Sequence, residues 1–325
     1  IAAEMARRAP GQNALSTARK ESDMVEIQSG FFNGFTTGTP LCARIVNSDQ
    51  HSKDYSILAD KMRPGHADYA GHVRYQGFND YRGGGHFSGR LTAPLVFAGA
   101  VAKQALAQYG IVVGSHILQI NDIKEERFNP MGVSDAELAE LHTKKFAVMD
   151  DAVGEKMQER ILQAKSELNS VGGVIEAIAL HLPAGIGAPY FDSVESMLSH
   201  ALFSVPAVKG VEFGDGFGFA RLTGAEANDA LHYVDGKVKA LTNHNGGVTG
   251  GITNGMPFVV RVAIKPTPSI AREQQTVSLK EQADTTLAIV GRHDPCIVQR
   301  AVPVIEAVVA WTLWDLLLEA KKWEK

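Results

Sequence analysis

The 325 residues carry 32 Lys and Arg against 36 Asp and Glu, a net charge of −4 with the 11 histidines neutral, and 45% of them are apolar. This balance excludes a disordered charged tail and a nucleic-acid binder that works through bulk positive charge. Two cysteines, Cys42 and Cys296, cannot form a disulfide framework and point to a reducing, cytoplasmic compartment. No apolar run is expected to span a membrane, because the most apolar stretch, 301–318, is interrupted by Glu306 and Asp315.

In chain order, the first residues, IAAEMARRAPGQ, read as the tail of a helix entering a loop. Residues 21–30 and 41–46 read as strands joined by the turn NGFTTGT. Periodicity is lost over 47–90, a stretch too long for an idle loop. Thr92 to Tyr109 reads as a helix with Pro94 in its first turn, and 111–120 as an alternating strand. Ser134 and Glu137 form a capping box for a short helix. A longer helix is expected over about 150–170, ending at Gly172-Gly173. Strands follow at 173–182, 208–213 and 257–266, with a capped helix over 192–204. A glycine-rich irregular region covers 235–256, and a last helix runs from about 300 to 322. Strands and helices mix without a βαβ repeat or a linker, which predicts one α+β domain with long active-site loops.

Four segments carry chemistry. In Arg63-Pro-Gly-His66-Ala-Asp68 a tight turn could point an anion-binding fork and an acid–base group at one ligand. The plainer reading is a solvated loop with Asp68 as a helix N-cap. In Arg82-Gly-Gly-Gly-His86-Phe87-Ser88-Gly-Arg90, glycines let backbone N–H groups approach an anion, with Arg82, Ser88 and Arg90 as further donors. The plainer reading is a flexible linker. The segments 243–251 and Lys265-Pro-Thr267-Pro-Ser269 suit a flat cofactor with a phosphate tail, or are simple turns. In Gly291-Arg292-His293-Asp294-Pro-Cys296 an acid–base and anion cluster could coincide with a capping turn, Asp294 at the N-cap. Cys296 reads as packed. There is no Walker or Rossmann loop, no serine elbow and no zinc spacing, so no metal is expected. The residues point to anion recognition plus proton handling, with an organic cofactor.

Together, RPGHAD, DYRGGG, NHNGGVTGG, KPTPS and GRHDPC, with VKGVEFGDGF and RAVPVIEA, resemble the chorismate synthase family over essentially the whole chain. The resemblance implies a β-α-β sandwich and a homotetramer. It implies conversion of 5-enolpyruvylshikimate 3-phosphate to chorismate and phosphate, by an anti 1,4-elimination that needs reduced FMN without net redox change. A separate flavin reductase could supply the reduced flavin, and some members use NADP(H). By motif, His66 would be a catalytic histidine and Asp294 would assist a proton transfer near the flavin. Arg8, Arg63 and Arg90 would bind the substrate's anionic groups. His86, Phe87, Ser88, Gly250, Lys265, Thr267, Ser269 and Arg292 would hold FMN. The chain departs from the family where RSS is replaced by His86-Phe87-Ser88, where ARET is replaced by GRLT, and at Ala14, which stands for an arginine. The family's opening strand and TTFGESHG-like motif, with a further histidine, precede Ile1. A protein without that segment would bind poorly or fail to turn over, whereas one that carries it would be fully active. The alternatives are a flavin- or phosphate-binding protein without catalysis, and a flavin reductase.

Overall fold

A computed structural model describes residues 1–11, 13, 15–17, 21–47, 57–289 and 293–322. The elements in order are α1 (Ala2–Arg8), β1 (Val25–Ser29), β2 (Phe31–Phe32), β3 (Phe35–Thr36), β4 (Cys42–Ile45), α2 (Asp68–Arg74), α3 (Thr92–Ala107), β5 (Val112–Ile120), β6 (Ile123–Lys124), α4 (Asp135–Thr143), α5 (Asp151–Ser166) and β7 (Gly173–Leu180). They continue with α6 (Val194–Phe203), β8 (Val208–Phe213), α7 (Gly224–Ala227), β9 (Leu231–Val234), β10 (Lys237–Ala240), β11 (Val248–Thr249), β12 (Ile252–Thr253), β13 (Phe258–Ile264), β14 (Gln274–Ser278), β15 (Ala283–Leu287) and α8 (Val298–Lys321).

The α+β expectation holds. One antiparallel sheet runs β6-β5-β7-β13-β8. The other strands pair in twos, so one large sheet is present among the described residues, accompanied by ribbons. Its central strands are buried on both faces. Ile175, Ala177 and Ala179 of β7 belong to the main core with α8 and α3, while Ile178 and Leu180 pack with Leu138 and Leu141 of α4. That double burial is why β5 shows little exposed alternation, although its sequence alternates.

Helix α8 is the centre of the packing, lying against α3, α6, β5 and β7. Gly99 of α3 lets it approach closely: a Cβ there would lie 2.2 Å from the Ala307 Cβ. By length and composition α8 could cross a membrane, contrary to the sequence expectation, with a window of mean hydropathy 1.7. That window is 72% buried inside the protein, the behaviour of a core helix.

The charge that interrupts α8, Glu306, is 1% exposed and fully matched. Its Oε1 accepts from Arg7 Nη2 and Ser115 Oγ, both at 2.9 Å, and its Oε2 accepts from Arg7 Nη1 at 2.6 Å and from Lys103. Glu4 and His142 complete the cluster. Burial alone would raise the Glu306 pKa, but Lys103 and Arg7 outweigh it and hold it down at about 2. Glu4, His142 and Glu306 bring ligand atoms within 4.8 Å of one another, at metal-like spacing. Lys103 and Arg7 already supply the positive charge there.

Two capping expectations fail. Helix α2 is capped at Ala67 and α8 at Ile297, with no side-chain cap at either. Asp68 and Asp294 direct their carboxylates elsewhere because stronger donors are available.

Candidate active site

A cavity of about 530 Å³ opens between the α1–β1 connection, the turn before α2, the segment before α3, the start of β8, the segment after β13 and the first turns of α8. Nearly all the motif residues meet there. Arg8, Arg63, His66, His86, Phe87, Ser88, Arg90, Lys265, Thr267, Ser269 and Asp294 line it. One described position of the assignment does not. Gly250 lies in the turn between β11 and β12, outside the lining. Arg292 and Ala14 lie outside the described residues. Arg82 also turns away: it is exposed and pairs with Asp80 at 2.8 Å.

The turn 63–66 needs Gly65, whose φ is +71°, a region that favours glycine. The Gly65 carbonyl accepts from Lys265, tying this turn to the segment after β13. Arg63 is 6% exposed and its donors are heavily used. Nε and Nη2 donate to Asp68, each at 2.7 Å, and Nη1 donates to Ser269 Oγ at 3.2 Å. Little of this fork remains for a substrate, a departure from the plain anion-hook expectation. Asp68 is held well below the usual carboxylate range: burial opposes ionisation, but the donors Arg63 and His66 prevail.

Arg8 is similarly built in. It pairs with Asp23, and its Nε donates to Thr92 Oγ1 at 3.2 Å. Burial lowers its pKa, and Asp23 partly restores it. The glycine segment before α3 forms a short 3-10 turn, Arg82–Phe87, rather than an open cradle at the helix N-terminus. Ser88 Oγ accepts from the Arg90 N–H at 3.2 Å, which fixes Arg90 at the pocket wall.

Asp294 is 9% exposed at its side chain. Its Oδ1 accepts from the Thr17 N–H at 2.7 Å and its Oδ2 from Arg300 Nη1 at 2.6 Å. Arg300 also donates from Nε to the Arg8 carbonyl at 3.1 Å. Sequence reasoning missed Arg300; its one signal is an arginine in the first turn of an otherwise apolar helix. It missed Lys209 too, a lysine within the strand VKGVEF that lines the cavity. Lys265 has a lowered pKa, first from burial and then from the like charge of Lys209. Cys296 is packed as expected, with burial pushing its thiol up to about 12.

The lining has more cations than acids, the acids being Glu21 and Asp294. The residues fit a flat ligand with a phosphate. Thr267 Oγ1 is buried with no partner among the described residues, two lysines stand together, and the Phe87 ring lies at the wall. Buried polar atoms are rarely left unpaired unless something else completes them.

Fold and site thus define a class: an α+β protein with a cationic, partly apolar pocket for multiply charged small molecules, provided with acid–base groups. Comparison with known proteins narrows it. The chorismate synthase family profile matches residues 1–318. The chorismate synthase of Thermococcus gammatolerans is 47% identical over 322 residues, covering 99% of this chain and 88% of that protein. That of Pyrococcus abyssi is 46% identical over 321 residues, with the same coverage. A crystal structure of a chorismate synthase superposes with a TM-score of 0.74 at 29% identity, over 98% of this chain and 82% of that one. The chain belongs to the chorismate synthase family, and so to the lyases of aromatic biosynthesis in the shikimate pathway.

Proposed function

We propose that this pocket binds 5-enolpyruvylshikimate 3-phosphate together with reduced FMN and releases chorismate and inorganic phosphate. The observation that carries the reading is the convergence of cationic side chains from distant segments, with His66 and Asp294 among them, on one cavity. The substrate has one phosphate and two carboxylates, and an excess of fixed cations suits it. Bound reduced flavin supplies transient electron donation with no net redox change.

The chain's own residues do the rest. Arg90 and Arg8 hold anionic groups, with Arg63 serving more as a frame than as a hook. Fixed positive charge stabilises the phosphate as its bond to carbon breaks, a function that needs donors aimed in advance. His66 holds a proton at its ring, and Asp294 takes or returns one at its carboxylate, both beside the ring being converted. Lys265, Thr267, Ser269, Ser88, His86 and Phe87 hold the flavin, with Lys209 beside Lys265, and orientation of the two ligands accelerates the elimination. Gly250 and Arg292 belong to the same assignment by motif.

A homotetramer is part of the proposal. Exposed aromatics support it: Phe32 and Phe35 of the β2–β3 hairpin are 69% and 77% exposed, and Tyr190 and Phe191 are 88% and 89%. A cytoplasmic setting and reduced flavin from a separate reductase complete the reading; both cysteines are free. The test mixes protein, reduced FMN and substrate and follows phosphate. Release that needs reduced flavin, with chorismate formed in equal amount, is expected. Release that continues unchanged without flavin would overturn it.

A further inference from the structure

The carboxylate assigned to proton transfer, Asp294, lies in an irregular segment just before α8, where no helix or strand holds it. Two donors from other parts of the chain do. Thr17, in the α1–β1 connection, donates its backbone N–H to Oδ1 at 2.7 Å, and Arg300 donates from Nη1 to Oδ2 at 2.6 Å. Each carboxylate oxygen has two lone pairs, so an oxygen that accepts one of these bonds can still take a proton. Arg300 itself is anchored twice. It lies in the first turn of α8, where its backbone N–H donates to the Ile297 carbonyl at 3.0 Å, and its Nε donates to the Arg8 carbonyl at 3.1 Å. A guanidinium is rigid and planar, so bonds from Nε and Nη1 to two separate acceptors set its plane.

The geometry points to Arg300 as the positioning residue of Asp294: the guanidinium, fixed on the first turn of α8, holds the carboxylate in the cavity and ties it to the main chain at Arg8. The α1–β1 connection is drawn to the same helix turn by a further bond, from Asn13 Nδ2 to Gln299 Oε1 at 3.1 Å. Arg8, Thr17, Asp294 and Arg300 all line the cavity, so one frame places an anion-binding arginine and a proton-handling carboxylate together. The charges are matched in pairs, Arg8 with Asp23 and Arg300 with Asp294. The pairing matters because the two guanidinium groups repel. Burial lowers the Arg8 pKa, Asp23 opposes that, and the like charge of Arg300 adds to the lowering. With Nη1 on Asp294 and Nε on a main-chain carbonyl, Arg300 acts through the carboxylate rather than as a hook for the substrate. The arrangement follows the general logic of a proton-transfer group oriented by a further residue.

This inference rests on the reading of Asp294 as a proton-handling residue, and the test separates the two. Phosphate release with reduced FMN is measured for the parent, Asp294→Asn, Arg300→Met and the double variant. Asp294→Asn should lower kcat about a hundredfold or more. Arg300→Met leaves the carboxylate unsteadied, and a fall in kcat of about ten- to a hundredfold is expected, with KM within about threefold of the parent's. In the Asp294→Asn background, Arg300→Met should add little. An undiminished further loss there would overturn the inference, since Arg300 would then act independently of the carboxylate. A rise in KM with kcat unchanged would overturn it too, because Arg300 would then bind substrate directly. Unimpaired turnover of Asp294→Asn would instead overturn the reading of Asp294, and the inference with it.

Arg300→Lys carries the same comparison if the methionine variant does not fold. Lysine keeps the positive charge but is a compact point donor, without two donors fixed in one plane. A smaller fall in kcat is expected in the parent background and almost none in the Asp294→Asn background. That split supports the inference. Equal effects in the two backgrounds, whether a loss or none, overturn it.

Discussion

Two groups of charges sit about 9 Å apart along helix α8, fewer than two turns by the ordinary helical rise, and they are settled in opposite ways. At Glu306 both oxygens accept two donors each, and acids and bases balance. At Arg300 the helix enters the cavity, where cations outnumber acids. Among the described residues, Lys265 there has a carbonyl as its recorded acceptor and Thr267 Oγ1 has no partner. The first group holds together α1, α3, α4, β5 and α8. The second is built around an excess of positive charge that a ligand would complete. The difference shows that charge alone does not mark a site: surplus and open space do.

The comparison breaks first if Glu306 is not structural. Glu306→Ala leaves Arg7 and Lys103 buried without their acceptor, and a loss of about 3–5 kcal/mol is expected from urea unfolding. Flavin binding at low denaturant should persist. A loss below about 1 kcal/mol would remove the distinction.

The mirror-image variant is His66→Ala. Its kcat should fall about 10²–10⁴-fold, while its urea midpoint stays close to the parent's. A large loss of stability with intact turnover per folded molecule would reverse the two roles.

Lys265→Ala sharpens the cavity side of the comparison. Loss of one charge-assisted contact should weaken FMN binding by about tenfold or more, and riboflavin binding much less. Equal weakening of both flavins would show that the lysine does not meet a phosphate.

Acid sharpens the other side. The Glu306 pKa is depressed from 4.5 to about 2 in the folded protein. Its contribution is therefore complete above the unfolded value and is lost as pH falls through the folded one. Unfolding free energy measured across that window should decline with acid, and the decline should be shallower in Glu306→Gln. The smallest effect concerns thiols. A chromogenic disulfide reagent should modify Cys42 rapidly in the native protein, whereas Cys296 reacts after denaturation, because burial holds it protonated.

Much of the fold was legible because it is local. The capping box at Ser134 and Glu137 opens α4 as expected, and α3, α5, β7, β8, β13 and α8 fall within a few residues of their expected bounds. Turn chemistry marked the segments that form the site. What misled was the same local reasoning applied to groups with distant partners. Asp294 reads as an N-cap from its neighbours, yet Thr17 and Arg300 claim its oxygens. Asp68 reads as a cap too, and is engaged by Arg63 and His66 instead. Gly250 belongs to a motif but lies outside the cavity, and Arg82 turns to Asp80. Glu306 looks like an interruption of an apolar run; only packing brings Arg7 to it from 299 positions away.

By itself, then, the sequence determined the element types, the glycine turns, the family resemblance and which residue kinds would meet an anionic ligand. These depend on backbone preference and on chemistry carried by short segments. Tertiary structure decided the strand order β6-β5-β7-β13-β8, the role of α8 as a core helix, and the entry of Lys209 and Arg300 into the cavity. It also divided the charges into those already answered and those left in surplus. The physical reason is distance: a hydrogen bond is settled within about 3 Å in space, whatever the separation along the chain.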